Sequence, residues 1–195
     1  IVQKIMYMEN DDLEHVAQIL QQDGVILYPT DTIWGLGCNA QSDRAINKLI
    51  SIKGRATEKG FVVIVDSLEM LKCYVQEVSP KIETLLSHHT RPLTVIYPNP
   101  INLSPLVCAL DGSVAIRVVK DEFCQELIWA SGVPLISTSA NISGKPFPAN
   151  FGEISSEILR AADYVVKYRQ NDRTKAEPSI IVKVTEKKEL EFIRK

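Results

Sequence analysis

The feature that most constrains this chain is the alternation of short, continuous apolar runs with longer amphipathic segments. GVILYP, FVVIVD, LTVIYP, SVAIRV, VPLIS, YVVKY, SIIVKV and LEFIR each read as a strand. Between them the apolar residues recur at helical spacing, as in Leu13, Val16, Ala17 and Leu20, or Ala45, Ile46, Leu49 and Ile50. Asn10-Asp11 is expected to cap the first helix, which ends near Gly24, and Ser42 the second, which runs out at SIKGRATEKG. Ser67 and Ser79-Pro80 open two more, the latter with proline at the first helical position, where its missing N–H costs nothing. Further helices are expected from Asp121 to Gly132 and around 153–162. Strands and helices alternate without segregating, and the strands are apolar throughout, so the pattern predicts an α/β sheet covered on its faces.

The remaining composition narrows the class. The chain has 195 residues, 45% of them apolar and 24% charged, which suits one domain over 1–195 with one core. A chain of this size buries roughly 70% of the surface its unfolded form exposes, and needs neither disulfides nor a structural metal to fold. Cys38, Cys73, Cys108 and Cys124 are far apart, with no CxxC and no Cys/His cluster. That argues against zinc and for reduced thiols in a cytoplasmic protein. No targeting peptide and no apolar stretch of about 18 residues is apparent, so no membrane partner is expected. A net charge of -2 hides a local excess: residues 43 to 60 hold Arg44, Lys48, Lys53, Arg55 and Lys59 against Asp43 and Glu58. By charge alone that run reads as a solvated helix face.

Ligands of open α/β sheets collect outside the strand ends, where loops project groups without disturbing the core. Three strand ends here are unusually polar. GVILYP runs into Thr30-Asp31-Thr32, VPLIS runs into TSANISG, and FVVIV is entered from KGRATEKG. Each alone reads as a turn, because Ser, Thr, Asn and Gly satisfy the backbone there. Together they offer cations and neutral donors, a combination suited to phosphate. Neither GxxxxGK[ST] nor GxGxxG occurs, so a nucleotide would be held another way. His15, His88 and His89 fall on helix surfaces or ends, and no GxSxG elbow or Cys/His pair appears. Chemistry by positioning and charge stabilisation is left, which is how phosphoryl and nucleotidyl transfer mostly proceed.

The segments YPTDTIWGLGCNA (28–40), KGR (53–55), RPLT (91–94), VAIRV (114–118), STSANISGKP (137–146) and EPSIIV (177–182) resemble, in order, the motifs of the YrdC/TsaC family of threonylcarbamoyl-AMP synthases. The K-x-R and S-x-N signatures are intact as Lys53-Gly54-Arg55 and Ser139-Ala140-Asn141. The resemblance implies a twisted mixed α/β sheet flanked by helices, DHBP-synthase-like, with a concave basic groove, in the short form of the family. It implies an ATP-dependent nucleotidyltransferase: L-threonine, bicarbonate and ATP give threonylcarbamoyl-AMP and pyrophosphate. Separate machinery then passes the threonylcarbamoyl group to tRNA. Magnesium would be held mainly through the ATP phosphates.

Carried over by position, Lys53 and Arg55 would meet the ATP phosphates and serve as the catalytic cations, with Lys59 a further contact. Thr94, Ser139, Asn141 and Arg194 would complete the ATP site. Thr32, Ser137 and Ser179 would hold threonine, with Arg117 on its carboxylate. Asp31 either orients its loop or meets the threonine ammonium. Departures from the family pattern are Arg91, Gly60, Ile180, Lys183 and Ile64, the last where some relatives place a threonine-contacting histidine. Two other readings stand beside the synthase. One is a non-catalytic module binding double-stranded RNA or tRNA through the basic groove; the other is a carbamoyl-adenylate-forming domain like that of hydrogenase maturation, which belongs to much longer chains.

Overall fold

The computed structural model describes residues 7–8, 11–54, 60–174, 178–185 and 190–194. Strands β1 (Tyr7–Met8) and β2 (Asp11–Asp12) pair as a small antiparallel ribbon. Helix α1 (Leu13–Gln21) follows at once, and its cap is Asp12, whose side chain accepts from the amides of Glu14 and His15. The cap expected at Asn10-Asp11 is thus displaced. The Asp11 carboxylate is fully buried, accepting the Tyr164 hydroxyl at 2.8 Å and the amides of Lys167 and Tyr168 at 2.8 and 2.7 Å. A carboxylate with three donors ties the start of the chain to a loop more than 150 positions away.

Strands β3 (Ile26–Tyr28) and β4 (Gly35–Gly37) form the next pair. Helix α2 (Asp43–Lys53) is capped by Ser42 and closed by Gly54 at φ 55, the left-handed conformation that glycine adopts without strain. Then come β5 (Val62–Val65), α3 (Leu68–Lys72) capped by Ser67, α4 (Pro80–His88), β6 (Leu93–Tyr97), β7 (Val114–Val118), α5 (Glu122–Ser131) capped by Asp121, and β8 (Leu135–Ser139). Helix α6 (Ser156–Ala161), β9 (Tyr164–Val165), β10 (Ile180–Val184) and β11 (Leu190–Arg194) complete the fold. Neither the β1–β2 ribbon nor β4 is among the strands expected from the sequence; β4 falls in the glycine-bearing segment that follows Thr30-Asp31-Thr32. Strand propensity is poor in a segment with two glycines, and pairing on both edges overrides it.

Among the described residues nine strands make one mixed sheet in the order β11-β10-β6-β7-β5-β8-β4-β3-β9. One face carries Leu27, Leu36, Val63, Val95, Ile116, Ile136 and Val182, packed against Ala45, Ile46 and Leu49 of α2, Leu71 of α3 and Ile82 of α4. The other face carries Ile26, Tyr28, Ile64 and Leu135 under Leu13, Val16 and Leu20 of α1 and Phe123, Leu127 and Ile128 of α5. Helices α1 and α5 cover only part of it. The expectation of a sheet covered on its faces therefore holds on one side and fails in part on the other. Because side chains alternate with a period of two, register decides which residues occupy the bare patch. Gly35 lies opposite Ser139, Val62 opposite both Ser137 and Ala115, Ile64 opposite Arg117, and Ile96 opposite Ala115.

Candidate active site

That bare patch is the floor of a cleft of about 360 Å³. Val62, Ile96, Ala115, Arg117, Ser137, Ser139 and Ile181 rise from the strands, and Thr32, Ile33, Phe61, Phe147, Pro178 and Arg194 form the walls. Arg117 stands within β7, as the run SVAIRV predicts, whereas β8 runs on past VPLIS to Ser139, so that Ser137 and Thr138 stand within a strand and not in a loop at its end. Glycine at 35 keeps the floor open, since a Cβ there would come within 3.3 Å of the Thr138 carbonyl. Gly60, at φ 59, packs with no room for a Cβ against the backbone of Val107 to Ala109; proline, locked near φ -65°, could not adopt this conformation.

The turn at 30–32 is both a backbone device and a wall. Thr30 Oγ1 takes the Thr32 amide at 3.0 Å, donates to the Ile33 carbonyl at 2.9 Å, and lies 2.8 Å from Thr32 Oγ1. The Thr32 hydroxyl is thereby fixed at the cleft, where Arg117 Nη1 donates to it at 3.3 Å. Arg117 is only 3% exposed. Its Nη2 sits 3.2 Å from Asp31 Oδ1, close enough for an ion pair but not aligned for a hydrogen bond. Nε and Nη2 of Arg117 therefore keep unfilled donor capacity inside the protein. Asp31 lines the neighbouring hollows and not the cleft. Burial holds its carboxyl above the ordinary range, with Arg117 pulling in the opposite direction.

On the far wall Arg194 donates through Nε to the Ser179 carbonyl at 2.9 Å and through Nη2 to its hydroxyl at 3.3 Å. Desolvation, then repulsion from Arg117, lowers the pKa of Arg194 below its ordinary value. The fold thus brings two like charges into mutual range across one cleft.

Of the residues singled out from sequence, Thr32, Arg117, Ser137, Ser139, Ser179 and Arg194 line the cleft together. Thr94 does not; it is fully buried, and its hydroxyl lies 2.8 Å from that of Ser179. Asn141 is also off the lining, with Oδ1 accepting from the Ser139 hydroxyl at 2.5 Å and Nδ2 donating to the Lys145 carbonyl. Lys53, at the last turn of α2, is 3% exposed, and its ammonium donates to the carbonyls of Ser139 at 2.5 Å and Asn141 at 2.8 Å. Its position links the K-x-R segment physically to the S-x-N segment. Arg55 and Lys59 lie outside the described residues. The rest of the basic run points elsewhere: Lys48 pairs with Asp163 at 2.5 Å and Arg44 extends into solvent. Ile64 is fully buried under α1 and α5, Ile180 belongs to the core, and Lys183 pairs with Asp111. Sequence reasoning missed Phe147, although an aromatic residue bracketed by prolines was the available signal.

The profile of the Sua5, YciO and YrdC family, whose description reads "Telomere recombination", matches residues 18–195. The chain belongs to the Sua5/YciO/YrdC family. It is 40% identical over 151 residues to the threonylcarbamoyl-AMP synthase of Vibrio parahaemolyticus, covering 76% of this chain and 82% of the relative. It is 32% identical over 162 residues to the threonylcarbamoyl-AMP synthase of Shigella boydii, covering 82% and 85%. The solved structure of P. abyssi Sua5 complexed with L-threonine shares the fold, with a TM-score of 0.78 at 24% identity, over 89% of this chain and 51% of that one. This family member thus spans about half the length of the P. abyssi protein. Among its described residues no helix is long and apolar enough to cross a membrane, and no group of three His, Cys, Asp or Glu side chains could hold a metal ion.

Proposed function

We propose that this chain is a threonylcarbamoyl-AMP synthase, a nucleotidyltransferase that uses L-threonine, bicarbonate and ATP. The observation that carries the reading is the pair Arg117 and Arg194, whose mutual repulsion an anion bound in the cleft would relieve. The synthase relatives and the threonine complex of P. abyssi Sua5 support threonine and ATP as substrates. Threonine's amine and bicarbonate condense to a carbamate with loss of water. A carbamate oxygen then attacks the α-phosphorus of ATP, and the bond to the bridging oxygen breaks to release pyrophosphate.

Each step asks for orientation and charge stabilisation more than for a strong base. The open donors of Arg117 suit the threonine carboxylate, with the hydroxyls of Thr32, Ser137 and Ser179 around it. Ser139 and Arg194 would meet the nucleotide. Lys53, Arg55 and Lys59 would counter the phosphate charge, Lys53 by adding its field beneath the Ser139–Asn141 loop. Thr94 and Asn141 would act one layer further back, orienting the hydroxyls of Ser179 and Ser139. Magnesium would arrive on the ATP phosphates, keeping several waters, as suits a site with few carboxylates. The product would pass to the machinery that modifies tRNA.

The test is pyrophosphate release by purified protein. Release should require L-threonine and bicarbonate jointly; release independent of either, or none at all, would overturn the assignment.

A further inference from the structure

We propose that Arg169, outside the cleft, is a positioning residue for threonine: by neutralising Asp121 it leaves the Asp31 carboxylate to hold Arg117 in place. The proposal rests on the reading of Arg117 as the partner of the threonine carboxylate.

Arg169 follows β9 and lines a hollow that shares Thr32 and Ile33 with the cleft. Its Nη1 donates to Asp121 Oδ2 at 2.5 Å. The other oxygen of Asp121 is already engaged, since Oδ1 accepts the Cys124 amide at 3.0 Å as the cap of α5. Asp31 stands between the two cations. It shares one hollow with Asp121 and the next with Arg169, while Arg117 Nη2 lies 3.2 Å from its Oδ1. The Asp31 and Asp121 side chains are only 14% and 7% exposed, and two such carboxylates facing one hollow repel unless a cation offsets one of them. Burial raises the pKa of the Asp31 carboxyl and Arg117 lowers it; after these, Asp121 raises it and Arg169 lowers it.

The loop is built to hold Arg169 there. Its backbone lies at φ 58, a left-handed conformation that a residue other than glycine keeps only where its surroundings impose it. Its guanidinium lies over the Tyr168 ring, 4.7 Å from the centroid, and that ring stacks on Phe123 of α5 at 5.1 Å. The Tyr168 amide in turn donates to the buried Asp11 carboxylate at 2.7 Å. A long apolar side chain could satisfy the packing, but the contact with Asp121 needs a charge. Losing that charge leaves Asp121 unpaired beside Asp31, weakens the hold of Asp31 on Arg117, and so loosens a threonine-binding group without touching the nucleotide.

Steady-state pyrophosphate release tests the proposal on wild type, Arg169→Met, Arg169→Lys and the double variant Arg169→Met with Asp121→Asn. Asparagine caps a helix as well as aspartate does, so α5 keeps its start. Arg169→Met should raise the KM for threonine about tenfold, with kcat and the KM for ATP unchanged. Arg169→Lys and the double variant should both return the threonine KM close to wild type. Melting curves show which variants fold, as expected for a side chain 30% exposed on a loop; Arg169→Gln takes the place of Arg169→Met should the latter not fold. If the threonine KM stays at the wild-type value, or rises together with the KM for ATP, the proposal is refuted and the synthase reading stands. The proposal is refuted too if the double variant is as impaired as the single one, the outcome of a role in packing alone. If wild type releases no threonine-dependent pyrophosphate, both fall.

Discussion

Arg117→Met separates a buried charge from its partner while keeping much of the side-chain volume. The guanidinium is 3% exposed and Asp31 Oδ1 lies 3.2 Å away, so the substitution leaves a largely buried carboxylate without its cation. Breaking such a pair from one side costs about 3–5 kcal/mol. The Asp31 side chain keeps 14% exposure and can escape by protonation, which places the expected loss at the lower end, about 3 kcal/mol. Against a total stability of about 5–15 kcal/mol, that is readily measured.

The sign of the pH dependence follows from Asp31. Burial already raises its carboxyl above the ordinary value of 3.8, and Arg117 is the strongest influence pulling it down. Without Arg117 the carboxyl rises further. A carboxyl whose folded pKa exceeds its unfolded one stabilises the fold at acid pH, and that stability is lost as pH rises through the folded value. The deficit of Arg117→Met relative to wild type should therefore be greatest at neutral pH and shrink as pH falls toward 3.8. Urea unfolding followed by circular dichroism across that range measures it. The double variant Arg117→Met with Asp31→Asn should regain most of the loss, because no orphan charge remains. A loss under about 1 kcal/mol, a deficit that grows on acidification, or a double variant no more stable than the single one would refute the reasoning.

Gly37→Ala should destabilise by about 3 kcal/mol or more, because its Cβ would lie 2.5 Å from the Ile136 carbonyl oxygen and 2.6 Å from Tyr28 Cε1; a melting temperature equal to wild type would contradict this. Lys53→Ala should strip the Ser139 and Asn141 carbonyls of their ammonium donor, costing about 1–3 kcal/mol in stability and, through the displaced loop, about a hundredfold in turnover. Pyrophosphate release at the wild-type rate from the folded variant would show that Lys53 does not organise the site.

Much of this was legible because the signals are local. The caps Ser42, Ser67 and Asp121 and the stop at Gly54 act within a turn of the residues they terminate, and the helices begin and end where those residues stand. The apolar runs became strands because β-branched residues suit a pleated, buried surface. Asp11 and Asp12 show the limit: two adjacent carboxylates are equivalent in sequence, and only the loop at Tyr164–Tyr168 decides which of them is buried. Gly35-Leu36-Gly37 became a strand through two neighbours remote in sequence, a choice no local propensity records.

The sequence alone determined the element types, most of their boundaries, and the polar residues from which a phosphate and amino-acid site could be assembled. Tertiary structure decided how they meet. Strand register put Gly35, Val62, Ala115, Arg117, Ser137 and Ser139 on one face, and α1 and α5 left part of that face bare. A single-residue slip would have turned those side chains into the opposite core, which is why the cleft belongs to the pairing of strands and not to any segment by itself.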